Sequence, residues 1–220
     1  LSQWSPNPLS TALSQRWMTA KMASLGMTEI PIVPVDHHQG HVAGAVFTSG
    51  WNECLAITLD GLGDGRSGRV SVWKDNRIEP VSELAAADSF GILFEHVTNI
   101  LNYRELEDEG KVMALANFAT PVGDDENPVL KLIDRRPGEI RFRYQGWALR
   151  EELAKIFWKY PPEQMAYMTQ RTLEVCVPEW ITYWLKKTGQ KKLVMAGGVA
   201  SNVKLNGLIR ALPEVEHLSI

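Results

Sequence analysis

Three of the chain's five histidines fall within five positions, in Val35-Asp36-His37-His38-Gln39-Gly40-His41. On a helix, His37 and His41 share one face with their Cβ atoms about 5–6 Å apart. That spacing lets two imidazoles grip one metal ion. Asp60 follows 19 residues after His41, at the end of the apolar run Cys54–Leu59, where it could add an oxygen ligand. Two histidines and a carboxylate with open positions suit non-haem iron(II), and zinc is the alternative. The bland reading, a capping histidine among ordinary polar ones, suits a lone histidine better than a pair at i, i+4 beside a third. On a helix His38 points about 100° away from His37. It is read as a support for the ligands or a donor into a cleft, not as a ligand.

Three further segments carry chemistry. Asp60-Gly61-Leu62-Gly63-Asp64-Gly65 joins two apolar runs. Its glycines permit positive φ and close backbone approach, and successive N–H groups can cradle an anion. Gly197-Gly198-Val199-Ala200-Ser201-Asn202 follows an apolar run and opens a helical pattern. Free N–H groups and the positive end of a helix would face a ligand there. The plain alternative is a strand-turn-helix capped by Ser201. Asn202 could reach a ribose hydroxyl. Glu107-Asp108-Glu109-Gly110-Lys111 enters another helix, and its acids also suit the N-terminal dipole alone.

The elements needed to hold these groups are legible from periodicity. Helices are predicted over 9–25, 37–47, 89–101, 110–117, 149–158, 164–187 and 201–212. Strands are predicted over 30–35, 54–59, 69–73, 78–84, 139–144 and 192–196, with another beginning at 214. Pro178 predicts a kink or break near Cys176. The order from residue 53 is three strands, a helical insertion, a long helix, strand, helix, strand. This is an α/β pattern. The helix-strand-helix before it resembles the tail of a similar unit, with an active site in the cleft between the two.

Composition excludes several classes. The chain is 45% hydrophobic and 22% charged, with a net charge of -3. It has no basic footprint for nucleic acid. Cys54 and Cys176 lie apart, without a CxxC, so neither a zinc knuckle nor a disulfide framework is expected. No apolar run reaches the ~20 residues of a membrane span, and the N-terminus lacks the features of a signal peptide. A cytoplasmic location is expected.

The four segments together resemble one family. Val-Asp-His-His-x-x-His-x-Ala, Leu-Asp-Gly-x-Gly-Asp-Gly, Glu-x-Lys-Val-Met-x-Leu-Ala and Ala-Gly-Gly-Val-Ala-x-Asn occur here in that order. They resemble the O-carbamoyltransferases of nodulation-factor and antibiotic biosynthesis over about residues 30–220. The resemblance implies an actin-like ATPase (ribonuclease H-like) fold, shared with the enzyme that forms threonylcarbamoyladenosine in tRNA. Residues 1–50 would end a first subdomain. Residues 51–220 would form most of a second, with a helical insertion near 85–160. The resemblance also implies an iron(II) site at His37, His41 and Asp60, with zinc or manganese as alternatives. Nucleotide, as ATP or carbamoyl-adenylate, would contact Gly61, Gly63, Asp64, Gly65, Glu109, Gly197, Gly198 and Asn202. Lys111 and His38 are the catalytic candidates, Lys111 facing developing negative charge. The family commonly has an aromatic residue at the place of Gly110 and a glycine at that of Ala114.

The implied reaction moves carbamoyl from carbamoyl-adenylate to a hydroxyl of a small-molecule acceptor. The adenylate would form from carbamoyl phosphate and ATP in a C-terminal domain that this sequence does not contain. The family's opening hairpin and a later metal aspartate would also lie outside the chain, so the isolated chain is expected to be inactive. Its last strand would offer an unpaired edge, with a homodimer as the candidate assembly. Two alternatives stand beside this reading: a tRNA threonylcarbamoyl-transferase-like enzyme, and a non-catalytic nucleotide-binding scaffold.

Overall fold

A computed structural model describes residues 8–220. Helix α1 covers Pro8–Ser24 and α2 covers His37–Ser49. Strands β1 (Cys54–Gly63), β2 (Arg66–Lys74) and β3 (Arg77–Ala85) follow as an antiparallel meander. Both of its turns are tight, with φ of 49° and 78° at Asp64 and Gly65 and 51° and 58° at Asp75 and Asn76. Paired positive φ values match the twist of a two-residue hairpin. Helices α3 (Phe90–Ile100) and α4 (Glu109–Leu115) then precede, and α5 (Gly146–Phe157) and α6 (Pro162–Thr188) follow, a small hairpin of β4 (Ile133–Arg136) and β5 (Glu139–Phe142). The chain closes with β6 (Lys192–Ala196), a short 3-10 turn at Gly198–Ser201, α7 (Val203–Arg210) and β7 (His217–Ser219).

The main sheet has the order β3-β2-β1-β6-β7. β6 runs parallel to β1, and β7 parallel to β6. The two faces of β1 are covered differently, as its period of two requires. Leu55, Ile57 and Leu59 enter the large core with α3 and α6. Cys54 and Ala56 pack with Val42 and Val46 of α2. Thr58 and Asp60 continue that second face, so the strand delivers both toward the histidines of α2.

Three expectations are corrected. Residues 27–36 form neither helix nor strand. Pro31 and Pro34 remove backbone donors, and Ile30, Val33 and Val35 are exposed without a neighbouring strand. The expected break at Pro178 does not occur, since α6 continues through it, where Cys176, Val177, Trp180 and Ile181 are all buried. That burial outweighs the lost backbone bond. The expected helix at 201–212 is shorter, because the 3-10 turn precedes it and Asn202, not Ser201, is its N-cap.

Candidate functional site

β1 and β6 end side by side, with Thr58 paired to Ala196. Asp60 therefore emerges next to Gly197-Gly198, at the carboxyl ends of parallel strands, where ligand crevices form in open α/β sheets. The ladder to β2 is irregular between Leu59 and Gly63, which frees Asp60 from regular pairing. One carboxylate oxygen of Asp60 accepts the N–H of Gly61 at 2.8 Å and of Gly198 at 3.2 Å. The other, Oδ2, lies 2.7 Å from His37 Nε2 and 3.0 Å from His41 Nε2. The three donor atoms lie within 4.8 Å of one another. Burial raises the Asp60 carboxyl, but the hydrogen bonds from His37, Gly61 and Gly198 outweigh it, and the group stays below its ordinary carboxylate range.

The elements that hold the cluster are built from local chemistry. The Asp36 side chain accepts the Gln39 N–H at 2.8 Å and caps α2. Asp64 Oδ2 accepts the His37 N–H at 2.7 Å. Gly63 has no side chain because the His37 ring occupies that space; a Cβ there would fall 2.7 Å from His37 Nε2 and closer still to the ring carbons. A Cβ on Gly197, at φ +99°, would overlap the Leu59 carbonyl oxygen. Gly91 packs equally closely on Gly61. Ser89 donates to the Gly61 carbonyl at 2.6 Å and caps α3 through the Ile92 N–H.

A cavity of about 660 Å³ opens beside the cluster. Its polar end holds His37, Asp60, Gly61 and Gly198, and its apolar wall includes Ile92, Phe94, Met113, Leu173 and Val199. Glu95, Glu107 and Glu109 complete it, and among the described residues no lysine or arginine lines it. Burial, followed by the neighbouring Glu109, Glu105 and Asp60 charges, pushes the Glu95 carboxyl up to about 7. The sequence reading missed Glu95. Its signal was present: it is the single acid of the apolar stretch Phe90–Ile100.

Of the residues expected to hold nucleotide, Gly61, Glu109, Gly198 and Asn202 reach the cavity, whereas Gly63, Asp64, Gly65 and Gly197 do not line it. Glu109 accepts the Leu106 N–H at 2.7 Å. The Asn202 side chain is already engaged, with Leu205 N–H at 3.0 Å and Gln170 at 2.8 Å. Lys111 does not line the cavity; its ammonium lies 2.8 Å from Asp108. His38 is fully buried, with Nδ1 2.8 Å from Thr58 Oγ1 and Nε2 3.2 Å from the Arg66 carbonyl. It braces α2 against the sheet and does not line the cavity. Burial lowers its pKa.

A mixed α/β fold is also found in HypF of T. kodakarensis, which aligns over 88% of this chain and 34% of that one (TM-score 0.50, 15% identity). At that identity the likeness concerns the fold alone. Residues 16–220 match the family described as carbamoyltransferase N-terminus, and the chain belongs to that family. Nodulation protein NolNO of Sinorhizobium fredii is 30% identical over 91% of this chain and 30% of its own length. An uncharacterized protein of Methanocaldococcus jannaschii is 32% identical over 79% of this chain and 35% of its length. Nodulation protein NolO of Bradyrhizobium diazoefficiens is 28% identical over 79% and 32%. The chain thus spans about a third of the curated relatives it matches. Among the described residues, no helix is long and apolar enough to cross a membrane.

Proposed function

We propose that this chain is the carbamoyl-transfer domain of an ATP-dependent O-carbamoyltransferase. The carrying observation is the convergence of His37, His41 and Asp60 on one point at the rim of a ligand-sized cavity, in a chain of the carbamoyltransferase family. We read the sheet order as the actin-like ATPase (ribonuclease H-like) arrangement. Residues 51–220 would be its second subdomain, and residues 1–50 would lead in from the first. The donor set fits a divalent ion, since two imidazole nitrogens meet one carboxylate oxygen. Iron(II) is the ion proposed, with zinc or manganese as alternatives. Bound there, it would supply Lewis-acid polarisation of a carbonyl or phosphoryl oxygen.

The cavity suits carbamoyl-adenylate better than a triphosphate. Its wall offers apolar surface to a base, while its carboxylates and missing lysines or arginines oppose a strongly charged anion. In the proposed reaction, an acceptor hydroxyl oxygen bonds to the carbamoyl carbon. The bond from that carbon to the adenylate phosphate oxygen breaks, and AMP leaves with the electron pair. The hydroxyl proton passes to a base. Glu95, poised near neutral pH, is suited to exchange it. Carbamoyl phosphate and ATP would be handled by the remainder of a longer protein, and the acceptor is a hydroxylated small molecule. Calorimetry with a non-hydrolysable carbamoyl-adenylate analogue tests the site. Gly198→Val, whose side chain would start 3.1 Å from Asp60 Oδ1, should abolish binding. Undiminished affinity would show that the loop is only a turn.

A further inference from the structure

Helix α2 carries both histidines, and a network of four charged side chains ties its first turn to the sheet. Asp36 faces two arginines from one strand. Arg66 Nη1 lies 2.9 Å from Asp36 Oδ2, and Arg69 Nη1 lies 3.0 Å from Asp36 Oδ1. Both arginines also reach Glu83 on β3, at 2.6 Å from Arg66 Nε and 3.0 Å from Arg69 Nη2. The Arg69 side chain is only 8% exposed. Arg69 pairs with Thr58 across the ladder, and Thr58 meets His38. The same strand pair therefore carries the Asp60 carboxylate and grips the histidine helix, both on the face that α2 covers.

We infer that Asp36, Arg66, Arg69 and Glu83 are positioning residues that set the distance between α2 and Asp60, and thus the geometry of the His37–His41–Asp60 centre. This inference rests on the proposed metal site. None of the four lines the cavity, so none is a catalytic residue. An ordinary cap needs only one carboxylate accepting N–H groups. Here the capping carboxylate is itself held from the sheet by two planar guanidinium forks, which fix direction as well as distance. A partly buried network of this kind is an expensive way to gain stability alone. Its position behind the donor set is that of the outer partners that orient metal-binding side chains.

Asp36→Asn separates the two roles of Asp36. Asparagine caps a helix as well as aspartate does, but it removes the charge that both arginines grip. Arg69→Lys keeps the charge and loses the fork. Cobalt(II) is the probe, because its visible absorption reports coordination as well as affinity. In both variants, with far-UV circular dichroism unchanged, affinity should fall roughly 10- to 100-fold and the absorption bands should shift. In the metal-free proteins, the imidazole nitrogen signals of His37 and His41 should move away from their Asp60-bonded values. Glu83→Gln leaves Asp36 and its cap untouched, and should show the same changes more weakly if an Arg69 variant fails to fold. Wild-type affinity, bands and imidazole signals in all folded variants would overturn the inference. A wild-type protein that binds no cobalt would instead overturn the metal reading, and the imidazole signals would still decide whether the network sets the geometry.

Discussion

Replacing Gly63 with alanine tests the packing that aims His37. The added methyl would lie 2.7 Å from Nε2, where ordinary contacts begin near 3.4 Å. The ring must therefore retreat by about an ångström or more, given these overlaps, because carbon atoms repel steeply inside contact distance. A retreat of that size breaks the 2.7 Å contact with Asp60. A hydrogen bond to a charged group contributes about 1.5–3 kcal/mol. The His37 side chain is 40% exposed, so solvent screening reduces the loss to about 1 kcal/mol. That corresponds to a Tm decrease of about 2–4 °C for a chain of this size. Metal affinity should suffer far more, by about 100-fold or beyond, since an inner donor is lost rather than an outer partner. Gly65→Ala is the control: it strains a turn at φ +78° and leaves Gly63, the residue packed on the ring, unchanged. Thermal melting and cobalt titration of both variants form the assay. Unchanged cobalt affinity in Gly63→Ala would refute the packing argument.

Other outcomes follow from the same geometry. Glu95→Gln should gain stability relative to wild type as pH rises. The folded protein holds the Glu95 proton up to about 7, whereas the unfolded chain releases it near 4.5. Wild-type stability therefore declines between those values and levels off above them; urea titrations at pH 4.5, 6, 8 and 9 should show the difference widening up to pH 8 and then holding. Asn127→Ala should cost about 3 kcal/mol in urea unfolding, because this fully buried side chain accepts from Val129 and Leu130 N–H and donates to the Met168 carbonyl; a loss under about 1 kcal/mol would contradict its role as an anchor. Gly197→Ala should cost roughly 2 kcal/mol or more from its positive φ and the blocked Leu59 carbonyl, measured by the same unfolding.

The sequence disclosed the metal-type cluster because two local rules sufficed. The i, i+4 spacing put His37 and His41 on one face, and the alternation of β1 sent Asp60 to the face that α2 covers. Lys111, expected at the site from the family resemblance, has its ammonium 2.8 Å from Asp108, an acid three residues earlier, and does not line the cavity. The glycine loop after Asp60 looked like a phosphate cradle, yet Gly63 and Asp64 serve to seat His37. Loops and strand ends need tertiary contacts to reveal which partner they meet. Glu95 escaped for a related reason, since one acid on an apolar helix has no spacing pattern to betray it. The residue 30–35 strand failed because alternation of apolar residues does not supply a neighbouring strand.

The central claim is that His37, His41 and Asp60 form the centre of a carbamoyl-transfer site. Its most direct test is turnover by the full-length protein that contains this chain, with pre-formed carbamoyl-adenylate and a panel of hydroxylated acceptors, for wild type and His41→Ala. The account predicts a carbamate ester and AMP in equal amounts from the wild type, and loss of both in the variant together with its bound metal. Equal turnover by the two proteins, or no ester from any acceptor while the adenylate still binds, would contradict it.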